Sequence, residues 1–149
     1  MMDDAKFNIM MEDLYALFPM VRKKLFMHRR NHRGDKLPPS HYQVLGILKK
    51  QGDLPMSEIG KLAHIHKSNM TSLTDKLVEE GVAVRMPDAT DRRRIKLAIS
   101  DRGIEKLDHW KKQQYNDIKT RISSLSEDDQ EKLYRSVKDI KDILSKIQR

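Results

Sequence analysis

Two polar clusters stand out by residue type and spacing. The first is Lys67, Ser68, Asn69, Thr71 and Ser72; the second is Asp91-Arg92-Arg93-Arg94. The chemistry they offer is non-covalent. An asparagine amide such as that of Asn69 pairs bidentately with an adenine edge, and serine and threonine hydroxyls read either base or bind phosphate. Lys67 and Lys76 suit phosphates. A guanidinium is drawn into a narrow A·T-rich minor groove, where negative potential is enhanced, and Arg93 is the candidate finger between Arg92 and Arg94. Asp91 has the wrong sign for DNA. It reads as an anchor that pairs with Arg93 or Arg94 and fixes the tip. Covalent chemistry finds little support: there is no cysteine, no Gly-rich phosphate loop, and no Ser-His-Asp order that sets a base beside a serine.

Positioning these groups takes two helices and a hairpin. Ser57 is placed to cap a short helix with Ile59, Leu62 and Ala63 on one face. A tight turn at His64-Ile65-His66 follows. A second helix runs over about 67–80, with Met70, Leu73, Leu77 and Val78 on its buried side and Gly81 just past its end. Its other side carries the first polar cluster. Val82, Val84 and Met86 then alternate with Ala83 and Arg85, and Ile95, Leu97 and Ile99 with Lys96 and Ala98, a period of two that reads as two strands. Pro87-Asp88-Ala89-Thr90 is turn chemistry. The unit is a helix-turn-helix with an arginine-tipped hairpin, a winged helix.

At these residues the chain resembles the MarR family of bacterial transcriptional regulators. The resemblance runs from Leu37 through LPPSHYQVL, SEIGKLA at 57–63, KSNMTSLTDKLVEEG at 67–81, Arg85 and Asp91-Arg92-Arg93 to Gly103; the flanks match only as helix lengths. It implies a mainly α chain with a small β-hairpin wing: a winged helix-turn-helix over 37–100, flanked by dimerisation helices over 1–33 and 101–149, in one domain. It also implies a homodimer on a pseudo-palindromic operator in double-stranded DNA, acting as a repressor, with an Asp-x-Arg wing anchored as above. Many family members carry arginine where this chain has Ser72, which shifts weight onto Asn69, Thr71 and the wing. The resemblance further implies a cleft where small, often aromatic anions loosen DNA binding. Met11, Phe18, Tyr42 and Trp110 fit such a lining by type. The rival reading is a winged-helix protein-interaction module without a DNA role.

The remaining chain supplies helices. Residues 4–30 place Phe7, Met10, Met11, Leu14, Leu17, Phe18, Val21 and Leu25 at helical spacing, with Pro19 predicting a kink near Phe18 or two helices. The Met10, Met11, Met20 and Met27 set reads as core and interface filler, with the lining of an adaptable ligand pocket as the alternative. The basic run Arg22, Lys23, Lys24, Arg29, Arg30, Arg33 fits phosphate contact, but more simply a solvated helix end. Gly34-Asp35-Lys36 reads as a loop. A helix over about 40–51 buries Val44, Leu45 and Leu48 and stops at Gly52. Leu54-Pro55 is extended; in the family it often pairs with the wing, and Pro55 would confine it to an edge. Ser100 can cap a helix over 101–123. Ser126 caps the last, where Leu133, Val137, Ile140, Leu144 and Ile147 step by four, three, four, three, a coiled-coil-like seam suited to a two-fold partner.

Composition bounds the rest. The 149 residues fit one domain and carry a net charge of +8, which suits an anionic partner. Without cysteine there is no thiol sensing, disulfide or Cys-ligated zinc. Of His28, His32, His41, His64, His66 and His109, only His28 and His32 have compact ligand spacing, four apart on a helix, and they lack a nearby carboxylate, so surface or phosphate-contacting histidine is favoured over zinc and no metal or cofactor is expected. No apolar run nears the roughly 20 residues a membrane helix needs, and no signal peptide is read, so a cytoplasmic protein is expected.

Overall fold

The computed structural model describes residues 1–27 and 37–148. The predicted loop at 34–36 and Arg29, Arg30, Arg33, His28 and His32 lie outside the described residues. Six α-helices and three strands follow in order: α1 (Asp4–Val21), α2 (Pro39–Gln51), β1 (Leu54–Pro55), α3 (Met56–Ala63), α4 (Lys67–Glu79), β2 (Ala83–Pro87), β3 (Ile95–Ile99), α5 (Asp101–Ile122) and α6 (Glu127–Leu144). The chain divides into a winged unit, 32–113, and a terminal-helix unit, 1–31 with 114–149.

The winged unit holds the core. Tyr42, Val44, Leu45 and Leu48 of α2, Ile59 of α3, Leu77 of α4, Leu97 of β3 and Leu107 of α5 are all buried in one cluster. Each of these helices presents a single apolar stripe, and the stripes close on one another. The sheet is antiparallel in the order β1-β3-β2, with Leu54 opposite Leu97 and Arg85 also opposite Leu97 on the other side. The short β1 lies at the edge, the place in a sheet where a proline such as Pro55 is tolerated.

Helix ends follow local chemistry, with two departures from the sequence reading. Ser100 accepts the Gly103 N–H at 3.1 Å and donates to the Gly81 carbonyl at 2.6 Å, so it caps α5 and ties it to the end of α4. Ser126 accepts the Asp129 N–H at 3.2 Å. Ser57, by contrast, is no cap: α3 already begins at Met56, with Pro55 at the cap position and no side-chain cap bond. Proline's fixed φ turns the chain from β1 straight into the helix. Leu62 is 45% exposed, because the buried face of α3 runs through Ile59, Gly60 and Ala63.

The first half of α5 belongs to the winged unit rather than to the terminal helices. Leu107 is buried there, and Trp110 stacks on Tyr42 with ring centroids 4.6 Å apart and planes 5° from parallel. Gly103 allows the approach: a Cβ on it would lie 2.0 Å from the Val82 carbonyl oxygen. The four aromatic and methionine residues read as ligand lining are thus divided. Tyr42 and Trp110 engage each other's ring faces in the winged unit, while Met11 and Phe18 lie in the other.

In the terminal-helix unit, α1 continues through Pro19 to Val21 and then widens into a π-helical turn over Arg22–Phe26. The irregularity so falls after the proline, not at Phe18. Arg121 of α5 donates to the Lys24 and Met27 carbonyls at 3.0 and 3.1 Å, capping that turn's last carbonyls. No residue of α1 or α6 is buried.

Candidate DNA interface

The approach of α3 to α4 sets the first polar cluster. Their connection turns at His64, in the left-handed region at φ 54°. Gly60 lets the helices close: a Cβ there would meet the Ile65 carbonyl oxygen and Met70 Cγ, both at 3.2 Å. Met70, Leu73, Thr74 and Leu77 of α4 point into the core. Lys67, Ser68, Asn69, Thr71 and Ser72 are all exposed on its other side. Ser72 donates to the Asn69 carbonyl at 3.2 Å. His66 occupies the N-cap position of α4 without a side-chain cap bond, so the positive end of that helix is open to an anion.

Thr74 was not foreseen among the buried residues; its position four after Met70 places it in mid-stripe. Val78, predicted inside, is half-buried at the margin. Lys76 is separate from the exposed set. It is half-buried, 3.6 Å from Glu80 and 3.9 Å from Glu79, and Lys106 lies 3.8 Å from Glu80.

The wing tip is tied by two aspartates. Asp91 accepts the Arg93 backbone N–H at 3.0 Å, and its carbonyl accepts the Arg94 N–H at 3.0 Å. Asp91 therefore holds the tip through the main chain, not through the pairing with an arginine side chain that its charge suggested. Arg94 reaches Glu58 of α3 at 3.8 Å. Asp88 does comparable work unforeseen. It is buried and takes both the N–H and the hydroxyl of Thr90, at 3.0 and 2.9 Å. Those bonds, the backbone one first, hold its carboxyl below the usual carboxylate range. The tie therefore persists through the usual range and is lost only as pH falls below it, through the lowered pKa. The Asp-x-Thr spacing was a legible signal for this turn. Arg85 pairs with Asp75, joining β2 to α4. Arg92, Arg93 and Arg94 stay exposed at the tip.

His41, on the first turn of α2, has its pKa lowered by burial and then by Lys76. Among the described residues, no group of three His, Cys, Asp or Glu side chains is placed to hold a metal, and no helix is long and apolar enough to cross a membrane. The arrangement presents hydrogen-bonding groups on one helix and cations on a braced hairpin, both in one unit.

Known proteins resemble this chain. The family model described as MarR family matches residues 37–95. The HTH-type transcriptional regulator YkoM of Bacillus subtilis is 30% identical over 122 residues, 81% of this chain and 79% of that protein. The HTH-type transcriptional repressor MdtR of the same organism is 31% identical over 90 residues, 60% of this chain and 56% of that one. Among solved structures, a MarR family protein from Bacillus stearothermophilus superposes with a TM-score of 0.71 at 16% identity, over 98% of this chain and all of the other, which speaks to the fold. With its winged helix built as described, the chain belongs to the MarR family and is a DNA-binding transcriptional regulator.

Proposed function

We propose that this chain works as a homodimeric repressor on a pseudo-palindromic operator. Two copies of α4 enter successive major grooves about one helical turn apart. Asn69, Thr71 and Ser72 read base edges there, and Ser68 and Lys67 hold phosphates at the open end of the helix. Arg93 enters the flanking minor groove, with Arg92 and Arg94 on the neighbouring backbone. Asp91 and Asp88 keep the tip rigid, so little ordering is lost on binding. Lys76 contributes less than its charge suggests, being held by Glu79 and Glu80. The repressor sense is supported by the relative MdtR, and a cytoplasmic location follows from DNA as the partner.

The dimer is supported by the exposure of Val137, Ile140 and Leu144 along α6, with Leu133 half-buried beside them; Ile147, read as the last seam position, lies past the end of the helix and is exposed as well. A second copy would cover that seam. Relief of binding by a small aromatic anion completes the reading as the family resemblance implies it. Such a ligand must bind better to a form whose α4 helices are wrongly spaced, since equal affinity shifts nothing.

The observation that carries this reading is the pairing of an exposed hydrogen-bonding helix face with a braced arginine tip in one unit. Selection of bound duplexes from a random DNA pool tests it. Enriched sequences should contain two half-sites about one turn apart with A·T-rich flanks. A pool that emerges without enrichment, under salt low enough for phosphate contacts to hold, rejects it in favour of a protein-interaction module.

A further inference from the structure

Three imidazoles from two segments meet at one cavity beside α4. His41 comes from α2, and His64 and His66 from the turn before α4. With Asn69 and Ser72 they line a space of about 470 Å³. His64 and His66 also border a second space of about 670 Å³, whose charged walls are Lys61 of α3 and Lys67 of α4. No carboxylate lines either space. The acidic side chains of α3 and α4 are paired with cations: Glu58 with Arg94, Asp75 with Arg85, and Glu79 and Glu80 with Lys76. The charged side chains that line the two spaces are therefore Lys61 and Lys67, both cations, and Lys76 acts on His41.

Resting on the DNA-binding reading above, we propose that this cavity receives a backbone phosphate and that docking of the duplex is coupled to proton uptake by His41, His64 and His66. In the free chain burial, and then the Lys76 charge, lower the His41 pKa. A phosphate reverses that sign, because an anion beside an imidazole favours its charged form. The open N-terminal end of α4, with His66 at its cap position, adds positive potential at the same place. The bound state then holds more protons than the free state. By linkage, affinity rises as pH falls through the ordinary histidine range near about 6.5. Each coupled proton contributes up to about one decade of affinity per pH unit.

The test uses the full chain and a fluorescent duplex that the wild type has selected from a random pool, titrated by anisotropy in non-phosphate buffers at fixed ionic strength. From about pH 8 to about pH 6 the wild type should tighten roughly tenfold. The triple variant His41→Gln, His64→Gln, His66→Gln should lose most of that rise, whereas His109→Gln should keep it. A triple variant that binds with the wild-type pH slope overturns the proposal. Because three substitutions can disturb folding, wild-type binding is also measured by calorimetry in two buffers of different ionisation heat near neutral pH. Net proton uptake supports the proposal, and none overturns it. Binding that is equal at both pH values ends the proton linkage but leaves the DNA reading standing. Absence of binding at every pH overturns the DNA reading and the linkage with it.

Discussion

In the winged unit, Leu45, Leu48, Ile59, Leu77, Leu97 and Leu107 are shielded from solvent by one another. In the terminal helices, Phe7, Ile9, Tyr15 and Phe18 of α1 and Val137, Ile143 and Leu144 of α6 stand exposed, Phe18 at 73%. Both regions carry apolar residues at helical spacing, and only one finds their partners within the chain. A periodic stripe thus says that a face must be buried, but not whether the cover is intramolecular. The winged unit meets its burial requirement by closing stripes of α2, α3, α4, β3 and α5 on one another. The terminal helices keep large apolar side chains outward, which the proposed second copy would cover.

The contrast is broken most directly by charging the seam. Leu144→Asp would set an uncompensated carboxylate in the proposed interface, a cost of several kcal/mol, on the order of 3–5. Light scattering should report a monomer, and DNA affinity should fall by about two orders of magnitude or more as the paired readout is lost. A dimer mass for this variant would show that α6 is not the covered face. Next in size is Leu107→Ala, which opens a cavity in the winged core and should cost about 2–5 kcal/mol. Its denaturant midpoint should fall by the same amount at every protein concentration. A loss that shrinks as the protein is concentrated would place Leu107 in an association surface instead.

Legibility in the sequence follows the same divide. The helix-turn-helix and the hairpin were readable because Met70, Leu73 and Leu77 keep the helical period and Ile95, Leu97 and Ile99 the strand period. The last helix was readable for the same reason, with its apolar residues at helical spacing over Glu127–Leu144. What escaped are features set by tertiary approach. Gly60 and Gly103 are small because other segments come within contact of them, and nothing local announces that. Thr74 is polar by type and buried by position. Leu62 is apolar by type and exposed, since α3 turns a different face inward. At the site, the exposed positions of α4 followed from its stripe by subtraction. The bracing of the wing by Asp88, and the links Arg85–Asp75 and Arg94–Glu58, depend on residues far apart in the chain except for the Asp-x-Thr turn.

A smaller effect separates packing from reading within the winged unit itself. Arg93 is part of the self-contained unit but sits exposed at the tip, where its main-chain N–H is tied to Asp91. Arg93→Ala should therefore weaken binding of the selected duplex about tenfold, roughly 1.4 kcal/mol, and reduce the salt slope by about one contact. The dimer mass and the melting transition should not change. Unaltered affinity in a mobility-shift titration would remove the minor-groove role of the wing.

The smallest effect has the opposite sign. Thr74 is fully buried, and its hydroxyl oxygen has no hydrogen-bond partner among the described residues. A buried hydroxyl left unpaired costs about 1–3 kcal/mol relative to its hydration in the unfolded chain. Valine matches threonine in shape and differs little in helix propensity, so Thr74→Val removes the cost and keeps the packing. It should stabilise the winged unit by about 1 kcal/mol and raise the melting temperature by roughly a few degrees. DNA affinity should stay level, because the side chain points into the core, away from Asn69, Thr71 and Ser72. If the variant instead melts lower, the hydroxyl is paired in solution, by a buried water or by the Met70 carbonyl one turn back. The core of the winged unit would then be completed by a polar contact and not by apolar contacts alone.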